Sequence, residues 1–394
     1  PVIFTNGDND TFPLWYNQET EGVRTDARVC NLSYLQTDWY IDQMRRPAYD
    51  SPSLPINWTR LQYVTGTREG IPVQPDALQQ VIDYYKDSPE DLKQMLGDNP
   101  YELKNIIRHW VLNDNPDLQI FPTDSIVVTV DKEAVKRSGM MIAADSIPDV
   151  MHISLKGKRA VYKSEMMMLE MISQANWERP LYMSTTVGPD NYGHLGDNFV
   201  QEGLACRITP FDTKQSGRTI DSERMYNNMM NKFKYGGLKE NPDIYLDETV
   251  IRMCYTHRRL FNQLAQQLLK EGQKDKALKV LQRAEEEIPG SIVPHEAFYG
   301  HSLELADAWL ALGHKAEAEK LLNAVGQNAR EYIEWYLSLN TQRLLQSSRE
   351  CLMQIYILND IAKTWEPIDK KKAETYRMEV NNYASRCHQR GMSL

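Results

Sequence analysis

The sequence lacks the features that identify several common classes of protein. No apolar run approaches the ~18–20 residues that cross a bilayer as a helix. No long basic run is present, and the formal net charge is -9 at pH 7. This balance argues against nucleic acid as a partner, because phosphate binding needs clustered cations. No Walker loop, G-x-S-x-G elbow or H-E-x-x-H zinc motif is present.

Cysteine is also sparse. The 394 residues include five cysteines without a C-x-x-C pair: Cys30, Cys206, Cys254, Cys351 and Cys387. Such spacing predicts free structural thiols and leaves the cellular compartment undecided. The chain starts at Pro1 without a signal-peptide pattern, in what reads as a strand already under way. We therefore expect a fragment of a longer protein.

The last third of the sequence, from about Arg258, has the periodicity of paired helices. Apolar and small residues around Ala265 share one helical face, and Gly272 ends that helix. The pattern returns around Ala306, a shift of 41 residues, against about 34 in tetratricopeptide (TPR) repeats. A loop at 290–297 accounts for the excess. Two TPR-like repeats are predicted, with an unrelated pair of helical hairpins as the alternative.

The helical pattern continues to the end of the chain. Further helices are predicted at 329–345, 347–365 and 370–388. The aromatic residues Tyr332, Trp335 and Tyr356 recur at helical intervals and are interpreted as core. Because repeat stacks present a concave surface that suits peptides or other domains, this part is expected to bind a partner rather than to catalyse a reaction.

Strands and helices alternate in the first part of the chain. A strand, a helix and a strand are predicted at 2–5, 12–21 and 27–32. This order favours a parallel pair of strands with a right-handed crossover. A second such unit is predicted at 151–155, 164–175 and 181–185, with a further strand at 126–130. Asp10 or Thr11 is expected to cap the first helix.

The predicted fold class is α/β plus all-α. A small parallel or mixed sheet with helices on its faces precedes the TPR-like array. We expect an α/β (Rossmann-like) domain at 1–210, a helical connector at 211–256 and the repeat domain at 257–394. A segment rich in proline, asparagine and aspartate, at about 46–122, reads as an insertion with helices at 75–86 and 91–112.

The turn after the first strand is the main candidate for a ligand site, since open α/β sheets bind ligands beyond the carboxyl ends of their strands. It offers Asn6, Asp8, Asn9 and Asp10, whose oxygens suit a divalent cation or sugar hydroxyls. The triplet Asp8-Asn9-Asp10 matches D-x-D, a metal motif of nucleotide-sugar enzymes. The alternative is that these side chains cap the helix and cross-link the turn.

Aromatic residues near this turn could stack on a sugar ring. Trp15, Tyr16, Trp39 and Tyr40 belong to this group, and Asp38 precedes the last two. A glycine-rich stretch at 188–196 reads either as a site loop or as a connection between elements.

Several motifs resemble one family of membrane proteins. They are FTNGDNDTFPLWYNQETEGVRTDARVCNLSYLQTDWYI (Phe4–Ile41), EGLACRITP (Glu202–Pro210), MYNNMMNKFKYGGL (Met225–Leu238) and YLDETVIRM (Tyr245–Met253). They resemble the region after the last membrane helix of bacterial multi-pass proteins, once filed as a domain of unknown function and grouped with protein O-mannosyltransferase-like glycosyltransferases. The TPR-like tail is similar too.

The resemblance implies a division of labour. The catalytic residues would lie in a membrane-embedded N-terminal half, outside this chain. This chain would be the extracytoplasmic (periplasmic) region, and it would bind an acceptor polypeptide or envelope protein through its TPR groove. Two alternatives stay open. The α/β part is itself a sugar-binding or sugar-transferring domain that uses Asp8 and Asp10 with a divalent cation, or the chain is purely a scaffold for envelope proteins.

Overall fold

The computed structural model describes residues 1–140 and 147–392. The chain forms two compact units, Pro1–Asp221 (unit 1) and Ser222–Leu394 (unit 2). No helix within the described ranges is both long and apolar enough to cross a membrane. The α/β domain followed by an all-α region confirms the predicted fold class.

Unit 1 contains short strands grouped in three sheets. The strands are β1 (Val2–Thr5), β2 (Arg28–Asn31), β3 (Gly70–Pro72), β4 (Ser125–Thr129), β5 (Val150–Ser154), β6 (Ala160–Tyr162), β7 (Leu181–Ser184), β8 (Phe199–Gln201) and β9 (Ala205–Ile208). The main sheet has the order β2-β1-β7-β9-β8, and β3–β6 and β4–β5 form antiparallel pairs outside it. In the main sheet β1 pairs in parallel with β2 and with β7, whereas β9 is antiparallel to both of its neighbours.

Helices surround this sheet. They are α1 (Asp8–Glu19), α2 (Asp38–Met44), α3 (Arg60–Tyr63), α4 (Ala77–Tyr84), α5 (Pro89–Leu96), α6 (Leu103–Ile106), α7 (Lys132–Arg137), α8 (Lys163–Ala175) and α9 (Thr213–Ser216). The most buried of them is α8, which contributes Met166, Met167 and Met168 to the same core as Val2 and Phe4 of β1.

Unit 2 consists of helices. They are α10 (Ser222–Asn227), α11 (Glu248–Lys270), α12 (Lys274–Glu287), α13 (Ser302–Ala311), α14 (Lys315–Ser338), α15 (Thr341–Gln346), α16 (Ser348–Trp365) and α17 (Lys370–Gln389). Linkers of three or four residues join α11 to α12, α13 to α14 and α16 to α17, so each pair is a helical hairpin. The helix pairs agree with the repeat periodicity, and their TPR identity stays a prediction.

The first helix begins earlier than predicted. It starts at Asp8 and not at residue 12, so Asp10 lies in the first turn and does not cap the helix. Gly7 takes φ = 119°, a conformation that strongly favours glycine, and thus lets the chain leave β1 and enter the helix at once. Asp8 and Asp10 then lie at the positive end of the helix dipole.

The elements of the second strand–helix–strand unit are present, but its two strands do not pair with each other as predicted. The strand at 150–154 pairs with β4 in an antiparallel ribbon, and β7 pairs with β1 instead. Burial explains the difference, because β7 is largely buried on both faces, as internal strands are, whereas β4 and β5 each bury only alternate residues.

Two helical predictions also need correction. The helix predicted at 91–112 is broken, because Gly97 takes φ = 82° and Pro100 disfavours helix at the residue before it. The helix predicted at 329–345 is divided between two helices: its first part is the end of α14, which continues without interruption through Ala329 and Ile333, and 341–345 lie in α15. Apolar residues keep helical spacing across the start of this region, so nothing in the sequence ends the helix there.

Candidate functional site

The carboxyl ends of the three parallel strands form a polar cluster. Thr5, Asn31 and Ser184 are the last residues of β1, β2 and β7, and all three are buried. The Thr5 hydroxyl is 2.8 Å from the hydroxyl of Thr11, and the Asn31 Nδ2 donates to that same Thr11 oxygen at 2.8 Å. These contacts fix the start of α1 against the ends of two strands.

Asp10 joins the loop after β1 to the loop after β7. Its Oδ2 accepts hydrogen bonds from the backbone N–H of Asn6 at 3.0 Å and from the Thr186 hydroxyl at 2.8 Å. Its Oδ1 accepts a longer one from the Thr11 hydroxyl at 3.3 Å. Since β2 and β7 flank β1 on opposite sides, this point is where the order of the parallel strands reverses, the usual ligand position in open α/β sheets.

The rest of the loop is directed to solvent. Asp8 and Asn9 are exposed, and Asn6 is half-buried with its Oδ1 accepting a hydrogen bond from the Ser33 hydroxyl at 2.8 Å. Nowhere in 1–140 or 147–392 do three or more His, Cys, Asp or Glu side chains group as metal ligands would. A cation held by Asp8 and Asp10 stays a prediction.

A continuous row of aromatic rings lies beside this loop. The centroids of Phe12 and Trp15 are 5.7 Å apart, those of Trp15 and Tyr34 6.3 Å, and those of Tyr34 and Trp39 6.0 Å. We call these four residues the aromatic row. Its two ends are open to solvent, with Phe12 46% and Trp39 55% exposed. Two of the predicted aromatic residues, Trp15 and Trp39, are therefore brought together.

Sequence reasoning missed Tyr34 and Phe12. Tyr34 lies in the short turn after β2, where its backbone N–H donates to the Oδ1 of Asn31 at 3.1 Å. The available signal was its position directly after a parallel strand, because such residues line the carboxyl edge of a sheet. Phe12 was identifiable from its spacing of three residues to Trp15 on one helix.

Three other predicted residues do not share this arrangement. Tyr40 is buried, and its hydroxyl accepts the N–H of Asn31 at 2.9 Å, so its ring is core and not platform. Tyr16 is exposed but outside the stacked rings. Asp38 opens α2, and a hydrogen bond from the N–H of Thr65 at 3.3 Å lowers its pKa.

The glycine-rich stretch at 188–196 lines a cleft of ≈ 1180 Å³ in unit 1. His152 and His194 both face this cleft, together with Asp190. Burial lowers the pKa of His194, and the nearby Lys158 acts in the same direction. The cleft also contains the cations Lys158 and Arg218, so its lining is polar and carries charges of both signs.

Unit 2 carries a second group of exposed aromatic residues. Tyr332 and Trp335 of α14 are 47% and 54% exposed, and Tyr356 of α16 is 62% exposed. The interpretation of these three as core was therefore wrong. Amphipathic spacing placed them on helices, but spacing alone does not show which face of a helix is buried.

Tyr332 lies near Tyr255 of α11, which borders a loop that is also aromatic. Tyr255 of α11 contacts this loop, since a side chain at Gly300 would lie 3.3 Å from its ring. Burial raises the pKa of Tyr255 to about 12, and the neighbouring Glu296 and Tyr332 add to this effect. Phe298 and Tyr299 of the loop are exposed. We call Phe298, Tyr299, Tyr332 and Trp335 the aromatic surface of unit 2.

Comparison with known proteins assigns the family. The family described as TMEM260-associated domain 2 matches residues 1–228, more than half of the chain. The chain belongs to this family. No curated protein and no solved structure matches it. The match agrees with the resemblance at the level of a TMEM260-related membrane-protein family, and the relation to protein O-mannosyltransferases stays a prediction.

Proposed function

We propose that this chain is the extracytoplasmic, non-catalytic region of a protein O-mannosyltransferase-like membrane glycosyltransferase, and that unit 2 binds the acceptor polypeptide. The family assignment supports the link to such a membrane protein. The exposed aromatic surface of unit 2 is the observation that carries the binding role.

Exposed aromatic rings of this kind are typical of protein interfaces. Tyrosine and tryptophan are enriched among residues that dominate binding energy, because they bury a large area and order few rotatable bonds. Tyr332 and Trp335 lie three residues apart and so project from one face of α14. Arg252 lies 5.8 Å from the ring of Tyr299, so a cation also borders the surface. A polypeptide can stack on these rings and hydrogen-bond at their polar edges.

The test replaces Tyr332 and Trp335 by serine in the full-length protein, in cells that carry its gene. Hexose on serine and threonine residues of envelope proteins is measured by mass spectrometry. We expect at least a tenfold loss of modified peptides, since loss of two interface aromatics costs about 2–4 kcal/mol. The matched control is Tyr356→Ser, an equally exposed tyrosine outside the aromatic surface.

Two outcomes would contradict the proposal. Unchanged modification, with normal protein abundance, would show that this surface does not bind the acceptor. If the variant instead stops binding stable envelope proteins that carry no hexose, and the modified peptides are unchanged, the scaffold role is favoured.

A second function is favoured by the aromatic row of unit 1. Four neighbouring rings with open ends, on the elements that also carry the exposed Asp8 and Asn9, match the aromatic-plus-carboxylate chemistry of sugar recognition. The probe is methyl α-mannoside, titrated by calorimetry with and without Mn²⁺. Trp39→Ala should abolish any heat, whereas Trp335→Ala in unit 2 should leave it intact. Equal heats in the two variants would exclude this site.

A further inference from the structure

Two cysteines lie against each other in the last helical hairpin of unit 2. Cys351 belongs to α16 and Cys387 to α17, and their Sγ atoms are 4.0 Å apart. Both side chains are fully buried. The two thiols are therefore already in contact, in a place that no other part of the proposed function uses.

We infer that Cys351 and Cys387 form a disulfide bond across the α16–α17 hairpin when the chain folds in an oxidising compartment. The inference rests on the extracytoplasmic placement proposed above, because disulfides persist outside the cytosol. A disulfide has a sulfur–sulfur distance of about 2.05 Å, so each sulfur atom has to move by about 1 Å.

The chemistry is thiol–disulfide exchange with a small-molecule disulfide such as oxidised glutathione. The thiolate of one cysteine attacks the disulfide and releases one glutathione thiol. The second cysteine then attacks the mixed disulfide and releases the other. The protein loses two hydrogen atoms as the oxidant is reduced to two thiols.

Burial determines when this exchange occurs. Burial raises the pKa of Cys351 to about 12, and the adjacent Cys387 adds to the shift. A thiol with so high a pKa is a poor nucleophile at neutral pH, and the fold also shields it from the oxidant. The bond should therefore form during folding, before the hairpin closes, and the folded reduced protein should resist oxidation.

The bond would strengthen the end of the helical array. Terminal units of a stack have a neighbour on one side only, and their local stability is correspondingly low. The cross-link closes a loop of 36 residues. Such a loop should raise the folded-to-unfolded ratio several hundred-fold, which corresponds to a rise of roughly 8–15 °C in the melting temperature.

The experiment refolds the full chain with oxidised and reduced glutathione and measures the intact mass. We expect a mass lower by two hydrogen atoms, a linked peptide that contains both cysteines, and a melting temperature that falls when the bond is reduced. Cys254→Ser should lose two hydrogen atoms on oxidation, as the unaltered chain does. Cys351→Ser should show no such decrease in mass. Comparison of the oxidised and reduced forms of one unaltered chain keeps the test valid if a cysteine variant fails to fold.

A second arm separates this inference from the proposed function. Protein taken from cells in which free thiols are alkylated in denaturant at lysis should carry no label on Cys351 or Cys387. Refolded protein that keeps both thiols would overturn the disulfide whatever the compartment. The remaining outcome is a disulfide in the refolded protein but label on both thiols in protein from cells. This result would overturn the extracytoplasmic placement, and with it the disulfide in the cell.

Discussion

Replacement of Arg258 by methionine should release the loop between the first two helical hairpins of unit 2. The guanidinium of Arg258 is fully buried on α11. It donates to the carbonyl oxygens of Ile288 at 3.0 Å, Val293 at 2.8 Å and Pro294 at 3.1 Å. The segment that Arg258 holds overlaps the loop at 290–297, which lengthens the repeat period. The backbone carbonyls of this segment accept hydrogen bonds from Arg258 in place of helical partners.

The expected magnitude follows from these three bonds. Each contributes about 1–1.5 kcal/mol net, so their loss should destabilise unit 2 by about 3–5 kcal/mol. Methionine keeps the apolar contacts of the arginine stem and removes a buried charge, which offsets part of the loss. The melting temperature should fall by about 10 °C.

Urea denaturation of the full chain, followed by circular dichroism at helical wavelengths, measures this change. The matched control is Arg259→Met, which changes the next residue on the same helix. Hydrogen exchange of the amides at 288–294 should also accelerate in Arg258→Met. If the two variants unfold within about 0.5 kcal/mol of each other, the three bonds do not stabilise the loop.

Three further outcomes are expected. Asp10→Ala should destabilise unit 1 by about 1–2 kcal/mol, and Thr186→Val by a similar amount with little further loss in the double variant, as urea denaturation would show. Glu69→Ala should cost more than the pair Glu69→Ala and Lys163→Met, because Lys163 is fully buried and its Nζ donates to Glu69 at 2.7 Å. Burial lowers the pKa of His257 from its usual value of 6.5. The fold therefore loses stability as the pH falls from 6.5 through the lowered pKa, because the unfolded chain binds the proton more readily. His257→Phe should flatten that part of the thermal stability–pH profile.

Local rules predicted the elements of this fold better than their pairing. Hydrophobic periodicity located β1, β2 and α8, because burial imposes a period of two or 3.6 residues on the sequence itself. The predicted pairing of β5 with β7 was wrong, since pairing depends on contacts between distant segments. The alternate burial of β4 and β5 was a usable sign that they are not internal to a parallel sheet.

The candidate site was only partly predictable for a similar reason. The position of the Asn6–Asp10 loop follows from the general rule for parallel sheets. The aromatic row requires Tyr34 to fit between Trp15 and Trp39, and these three residues come from a short turn, α1 and α2. Sequence spacing carries no information about stacking across three elements, so the row became visible only when these elements were packed.

The geometry of α1 bears directly on the predicted cation. Residues two apart on a helix project about 200° apart, so Asp8 points to solvent while Asp10 turns inward to Thr186. One cation can bind both carboxylates only if the first turn of α1 unwinds. With the turn intact, Mn²⁺ should bind weakly through Asp8, so that Asp8→Asn lowers binding in a water-proton relaxation titration and Asp10→Asn does not. Tight binding lost equally in both variants would show that the loop rearranges around the ion, and the D-x-D interpretation would then hold.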